Sequence, residues 1–171
     1  MMLGMGALYW SRRWKYIVIH HSAGRFGSIE FLQKVHRERQ PNDPIDAIPY
    51  HYIIGNGNGL RDGEIASDFR GKYHLWGAHV SGANTDRNAR GIGICLIGNL
   101  QQYDITESQY SALVTLTVDL MKRHNISVEN VTGHGGTPGE STLCPGSHFP
   151  MTRFKRDISA ATLKREFDHY I

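Results

Sequence analysis

The apolar positions of this chain fall in short blocks, and their spacing sorts the blocks into strands and helices. Tyr16–His21 (YIVIHH) is β-branched, aromatic and short, which predicts a buried strand. Ser28–Arg39 repeats at the helical period, with Ile29, Leu32, Val35 and His36 on one face and Ser28 placed to cap the start. Pro41 and Pro44 then force a loop. Pro49–Gly55 (PYHYIIG) reads as a second strand. The GNGNG at Gly55–Gly59 suits the positive φ angles of a hairpin turn, with a return strand near Leu60–Ala66. It is not a phosphate loop, because no helix carrying Lys-Ser/Thr follows. Ser67–Arg90 shows no clear period and is expected to be a long irregular loop, a length that usually serves function. Gly91–Gly98 (GIGICLIG) is apolar on both faces and therefore predicted central in a sheet. Thr106–His124 gives the clearest helix. Thr106 and Gln109 match a capping box, and Tyr110, Leu113, Val114, Thr117, Leu120 and Met121 follow the period. Val128–Thr132 is a short strand. After Pro150 a last helix is expected to bury Phe154 and Ile158, with Leu163 and Phe167 continuing less regularly.

The order β-α-β-β-β-α-β-α predicts an α/β domain, a mixed sheet covered by helices. A chain of 171 residues is enough for one packed domain and short for two. The apolar start, MMLGMGALYW, lacks a basic flank and a small-residue cleavage site. Residues 1–15 are therefore expected to be an N-terminal arm or an export-signal remnant, ahead of a domain at 16–171. No stretch reaches the roughly 18 apolar residues a membrane span needs. The net charge of +3 is scattered, which argues against nucleic acid and suits a polyanionic polymer such as a cell wall; a monomer is expected. Two cysteines allow at most one disulfide.

Candidate chemistry lies in Gly133–Gly146, GHGGTPGESTLCPG. His134 and Cys144 stand there with nine residues between them, in a segment too rich in Gly and Pro to be a helix. Imidazole and thiolate are ligands Zn²⁺ takes readily, and no second CxxC or HxxxH pair completes a closed structural site. A metal here would have an incomplete protein shell and an open position, as catalytic zinc does. His20 and His21 end the first strand and point to opposite faces, so at most one can join His134. If the strands ending at His20 and Thr132 are neighbours, His20, His134 and Cys144 can converge on one ion. His74, Trp76, His79, Asn84, Asp86, Arg87 and Asn88 give an aromatic and polar mixture suited to a groove for a sugar–peptide polymer.

VIHHSA (Val18–Ala23), PYHYIIG (Pro49–Gly55), GAH (Gly77–His79), GIGICLIGN (Gly91–Asn99) and GH…CPG (Gly133–Gly146) occur in an order that resembles the zinc-dependent N-acetylmuramoyl-L-alanine amidases of the phage-lysozyme and peptidoglycan-recognition-protein type. The resemblance runs from about Tyr16 to Phe154. It implies a three-layer α/β domain with a central mixed sheet flanked by helices. It also implies Zn²⁺ held by His20, His134 and Cys144, and catalytic roles for Tyr50 and Thr142. His79 and Asn84 are expected either to touch substrate or to serve as loop hydrogen-bonding residues. The substrate would be peptidoglycan or a muropeptide, met in the cell envelope, in the periplasm, outside the cell, or at the wall as a phage endolysin.

Several positions depart from that pattern. The spacing from His134 to Cys144 is longer than in the commonest relatives, and the loop between His79 and Gly91 looks expanded. Thr142 stands where many relatives carry lysine, and Gly91 where many carry serine. Cys95 falls where cytosolic relatives place a general-base glutamate, a part a thiol cannot play. A non-catalytic recognition module is the alternative function, but such members typically lack the cysteine ligand, which this chain keeps. A zinc peptidase of another kind would need a helical HExxH, which is absent.

Overall fold

Every residue of Gly91–Leu96 is buried, as a strand apolar on both faces requires. The computed structural model describes residues 14–42 and 47–167, with the side chains of all but 164–167. In chain order its elements are β1 (Tyr16–His21), α1 (Ile29–Arg39), β2 (Tyr52–Ile54), β3 (Ile65–Ala66), α2 (Phe69–Lys72), α3 (Thr85–Arg90), β4 (Gly91–Leu96), α4 (Glu107–His124), β5 (Val131–Gly133) and α5 (Met151–Phe167). The sheet order is β3-β2-β4-β1-β5. β1 runs parallel to β4 and β5, β2 runs parallel to β4, and β3 is antiparallel to β2. The sheet is mixed, as expected, with β4 inside it.

Strand alternation divides the core into two layers. Ile17, Ile19, Ile92, Ile94 and Leu96 face the larger apolar cluster, where they meet Tyr110, Leu113 and Leu120 of α4 and Phe154 and Ile158 of α5. Cys95, Ile97 and Ile53 face the other way, toward Leu32 of α1 and Ile48. Helices on both sides of one sheet make the three layers. α1 begins where Ser28 accepts a hydrogen bond from the Phe31 N–H. α4 begins in the capping box of Thr106 and Gln109, which satisfies two otherwise orphaned donors. The Gln109 amide also donates to the Ile54 and Ile97 carbonyls, tying α4 to the ends of β2 and β4.

Four expectations change. The strand expected over Pro49–Gly55 shrinks to Tyr52–Ile54, because the Gly93 N–H donates to the His51 ring instead of a backbone carbonyl. The return strand is only Ile65–Ala66. The stretch Ser67–Arg90 contains the short helices α2 and α3. Val128–Asn130 is a 3₁₀ turn ahead of β5. Of the expected N-terminal arm, only Trp14 and Lys15 lie among the described residues, and Trp14 is buried edge-on against His51. Leu163 is exposed, and the Phe167 side chain lies outside the described residues, as does Pro44.

Candidate metal centre

Parallel neighbours end together, and the site grows from that fact. The register pairs Ile19 of β1 with Gly133 of β5, so His20 and His134 follow side by side at the carboxyl ends of adjacent strands. Their ring centroids are 4.7 Å apart. Beyond His134 the chain loops back: the Gly135 N–H donates to the Cys144 carbonyl at 2.7 Å. A Cβ at Gly135 would lie 2.1 Å from the Thr142 carbonyl oxygen, so the return needs glycine there. The loop brings the Cys144 Sγ to 3.8 Å from His20 Nδ1 and 3.4 Å from the His21 backbone nitrogen. One donor atom from each of His20, His134 and Cys144 lies within 4.8 Å of the others. Tetrahedral zinc with bonds of about 2.1 Å to nitrogen and 2.3 Å to sulfur puts its ligand atoms roughly 3.5 Å apart. The donor set and its spacing therefore fit such an ion.

Hydrogen bonding fixes which nitrogen each ring offers. His79 is 5% exposed, and its Nε2 lies 3.1 Å from the Gly91 carbonyl oxygen, which can only accept. Nε2 of His79 is thus the donor and Nδ1 the acceptor. The His20 Nε2–H donates to that Nδ1 at 3.2 Å, which leaves the His20 Nδ1 lone pair facing Cys144. His134 behaves alike: its Nε2 donates to the Glu140 carboxylate at 3.1 Å, leaving Nδ1 bare. Burial, with His79, His134 and His21 nearby, pushes the His20 pKa well below the usual histidine value. Burial likewise lowers His79 to about 4. Both rings stay neutral, and for His20 that is the form that binds metal.

Tyr50 packs against this cluster, its ring centroid 5.1 Å from that of His20. Burial, then the neighbouring Cys95 and Cys144, push the phenol well above its usual pKa, so it remains a hydrogen-bond donor. Cys95 is fully buried beside Tyr50, its pKa raised by burial first and then by Cys144; both cysteines are free thiols. Burial pushes the Cys144 thiol up to about 11. Thr142 is exposed, and its Oγ1 accepts from the Cys144 N–H at 3.2 Å. Asn84 reaches toward the same loop, donating to the Pro138 carbonyl at 2.9 Å and to Glu140 at 3.1 Å.

Of the two roles expected of His79, the hydrogen bonds are visible: it is buried, with both nitrogens bonded inside the protein. Glu140 is the residue that sequence reading passes over. Its side chain is 6% exposed and takes hydrogen bonds from the Ser81 N–H and hydroxyl, the Asn84 amide and His134. Burial alone would raise its pKa, but the bonds from Ser81, Asn84 and His134 outweigh it and hold the carboxyl below the usual range. The one available signal was a lone carboxylate between two candidate ligands. Two clefts open on the surface, and the first includes Cys144 of the centre. One, of about 400 Å³, is lined by Thr132, Thr142, Leu143, Cys144, Met151 and Lys155. The other, of about 520 Å³, includes Arg39, Gln40, Arg70, Trp76 and Ala78.

Residues 10–147 match the family model described as N-acetylmuramoyl-L-alanine amidase. Among curated proteins, peptidoglycan-recognition protein SC2 of Drosophila melanogaster is 30% identical over 138 residues, covering 78% of this chain and 68% of that one. The 1,6-anhydro-N-acetylmuramyl-L-alanine amidase AmpD of Enterobacter cloacae is 31% identical over 106 residues, 61% of this chain and 56% of that one. Among solved structures, the N-acetylmuramoyl-L-alanine amidase LysC from Clostridium intestinale superposes with a TM-score of 0.71 at 26% identity, covering 86% of each chain.

Proposed function

Because the chain belongs to the N-acetylmuramoyl-L-alanine amidase family, we propose that it is a zinc-dependent amidase. The bond cut joins the lactyl group of N-acetylmuramic acid to L-alanine in peptidoglycan or a muropeptide. The observation that carries this reading is the convergence of His20, His134 and Cys144 within 4.8 Å, with Nε2 of both rings already engaged elsewhere. Those three would hold the ion. Zinc so held supplies a Lewis acid that polarises an amide carbonyl and acidifies water from a pKa of about 15.7 to about 7.

The protein's own residues do the rest. Cys144 would bind the ion as thiolate, and with the neutral imidazoles of His20 and His134 would give a set whose charge with the dication is +1. The His21 backbone N–H lies 3.4 Å from the sulfur and stabilises the thiolate. Tyr50, kept protonated by its burial and lying beside His20, would donate to the oxygen that gains charge as the amide becomes tetrahedral. Thr142 offers a hydroxyl at the rim of the same site, without the full charge a lysine would bring. His79 orients His20 through the bond between their rings. Asn84 belongs to the wall that braces the metal loop. The 400 Å³ cleft, lined by Thr142 and Cys144, gives the substrate an approach to the centre. The site of action is wall material; among the described residues no helix is long and apolar enough to cross a membrane.

The likeness to a peptidoglycan-recognition protein favours a second reading, a module that binds without cutting. One experiment separates the two. A defined muropeptide incubated with the protein should yield, by mass spectrometry, free N-acetylmuramic acid and a peptide starting with an L-alanine amine. Retention of an intact muropeptide on the protein, with no such product, would instead leave the recognition module.

A further inference from the structure

Glu140 carries more bonds than a loop residue needs, drawn from two separate segments. Ser81 donates through its backbone N–H at 3.1 Å and its hydroxyl at 2.8 Å, both to Oε1. Asn84 donates to the same oxygen at 3.1 Å and simultaneously to the Pro138 carbonyl at 2.9 Å. Oε2 accepts from His134 Nε2 at 3.1 Å and shares the Ser81 N–H at 3.3 Å. Glu140 is not one of the clustered donors, so it acts behind His134 and not as a further ligand.

Resting on the zinc reading above, we propose that Glu140 is the positioning residue of the metal centre. In this proposal Ser81 and Asn84, ahead of and at the start of α3, set its hold on His134. The two supports in the site are unequal. His20 leans on a neutral ring, His79, whereas His134 leans on a carboxylate. A hydrogen bond to an ionised acceptor is roughly twice as strong as a neutral one, and it raises the basicity of the imidazole it supports. The carboxylate also completes the charge: with the Cys144 thiolate, it brings the dication's surroundings to neutrality. The Ser81–Asn84 turn further makes the long His134–Cys144 loop and the segment entering α3 one unit. Without Ser81 and Asn84 the carboxylate has no donors but His134 and is free to turn to solvent.

The test is zinc affinity of the full chain by competition with a chromogenic chelator, together with the absorption spectrum of the cobalt-substituted protein. Glu140→Ala should weaken zinc binding about 10–100-fold and alter the cobalt spectrum. Glu140→Gln, which keeps one acceptor oxygen but loses the charge, should fall between wild type and alanine. Asn84→Ala, which leaves Glu140 and every ligand in place, should weaken binding in the same direction by less, and so decides the matter if Glu140→Ala does not fold. Wild-type affinity and an unchanged cobalt spectrum in Asn84→Ala and Glu140→Gln would overturn the proposal. A wild-type chain that binds no zinc would instead overturn the metal reading beneath it.

Discussion

Gly93→Ala is the smallest change that reaches the centre without touching a candidate ligand. Gly93 sits in β4 beneath the His79 ring: a Cβ built there lies 2.6 Å from His79 Cδ2 and 2.7 Å from Cγ. Ordinary carbon contacts begin near about 3.5 Å, so the ring would have to withdraw by roughly 0.9 Å. The Gly77 backbone also lies close to the ring, for a Cβ there would fall 2.3 Å from His79 Cδ2. The ring is also pinned by bonds of 3.1 Å to the Gly91 carbonyl and 3.2 Å to His20 Nε2. Displacement by that amount stretches the His20 contact to about 4.1 Å, beyond any hydrogen bond. Overpacking of this kind typically costs about 1–3 kcal/mol of stability. Loss of the support behind a ligand typically costs about 10–100-fold in metal affinity. Thermal unfolding and chelator competition on the purified variant measure the two effects separately. A variant with lowered stability and wild-type zinc affinity would refute the claim that His79 orients His20. A variant unchanged in both would refute the packing argument itself.

Tyr50→Phe should cut turnover by about 100-fold or more, the usual cost of losing one oxyanion donor, while zinc content stays that of wild type; unchanged turnover would remove Tyr50 from the chemistry. Tyr110 donates to Asp157 at 2.7 Å, and burial followed by that carboxylate raises its pKa from 10.0 to about 12. A raised folded-state pKa contributes stability that is fully present below pH 10 and lost as the pH climbs toward about 12. Urea midpoints should therefore fall less steeply across that window in Tyr110→Phe than in wild type, and identical slopes would contradict the assignment.

Much of this fold was legible because its strongest elements have local causes. The capping box at Thr106 and the period of α4 are local, and the doubly apolar GIGICLIG names its own place inside the sheet. The strand-end histidines could be paired because parallel neighbours bring their carboxyl ends together. What escaped was fixed by distant partners. α2 and α3 are too short to show a period, and their caps, Asp68 and Asn84, make no side-chain capping bond. They are held instead by bonds such as Arg70 Nε to the Ile48 carbonyl and the His79 N–H to Asn88. The second strand lost its first residues to a bond that the His51 ring accepts from the Gly93 N–H, which no alternation pattern encodes. His79 read as a loop residue free to touch substrate, since nothing local records that Gly77 and Gly93 make room for its ring in the interior. Glu140 became visible only when Ser81 and Asn84, far off in sequence, were brought beside it.

The central claim is that His20, His134 and Cys144 hold one zinc ion on which amide hydrolysis depends. Its most direct test is a zinc titration of chelator-stripped protein, scoring the L-alanine amino groups released from purified peptidoglycan. The account predicts no release from the stripped protein and a linear rise that levels off at about one zinc per chain, the content of a single three-ligand site. Full release from protein proven free of metal would contradict it.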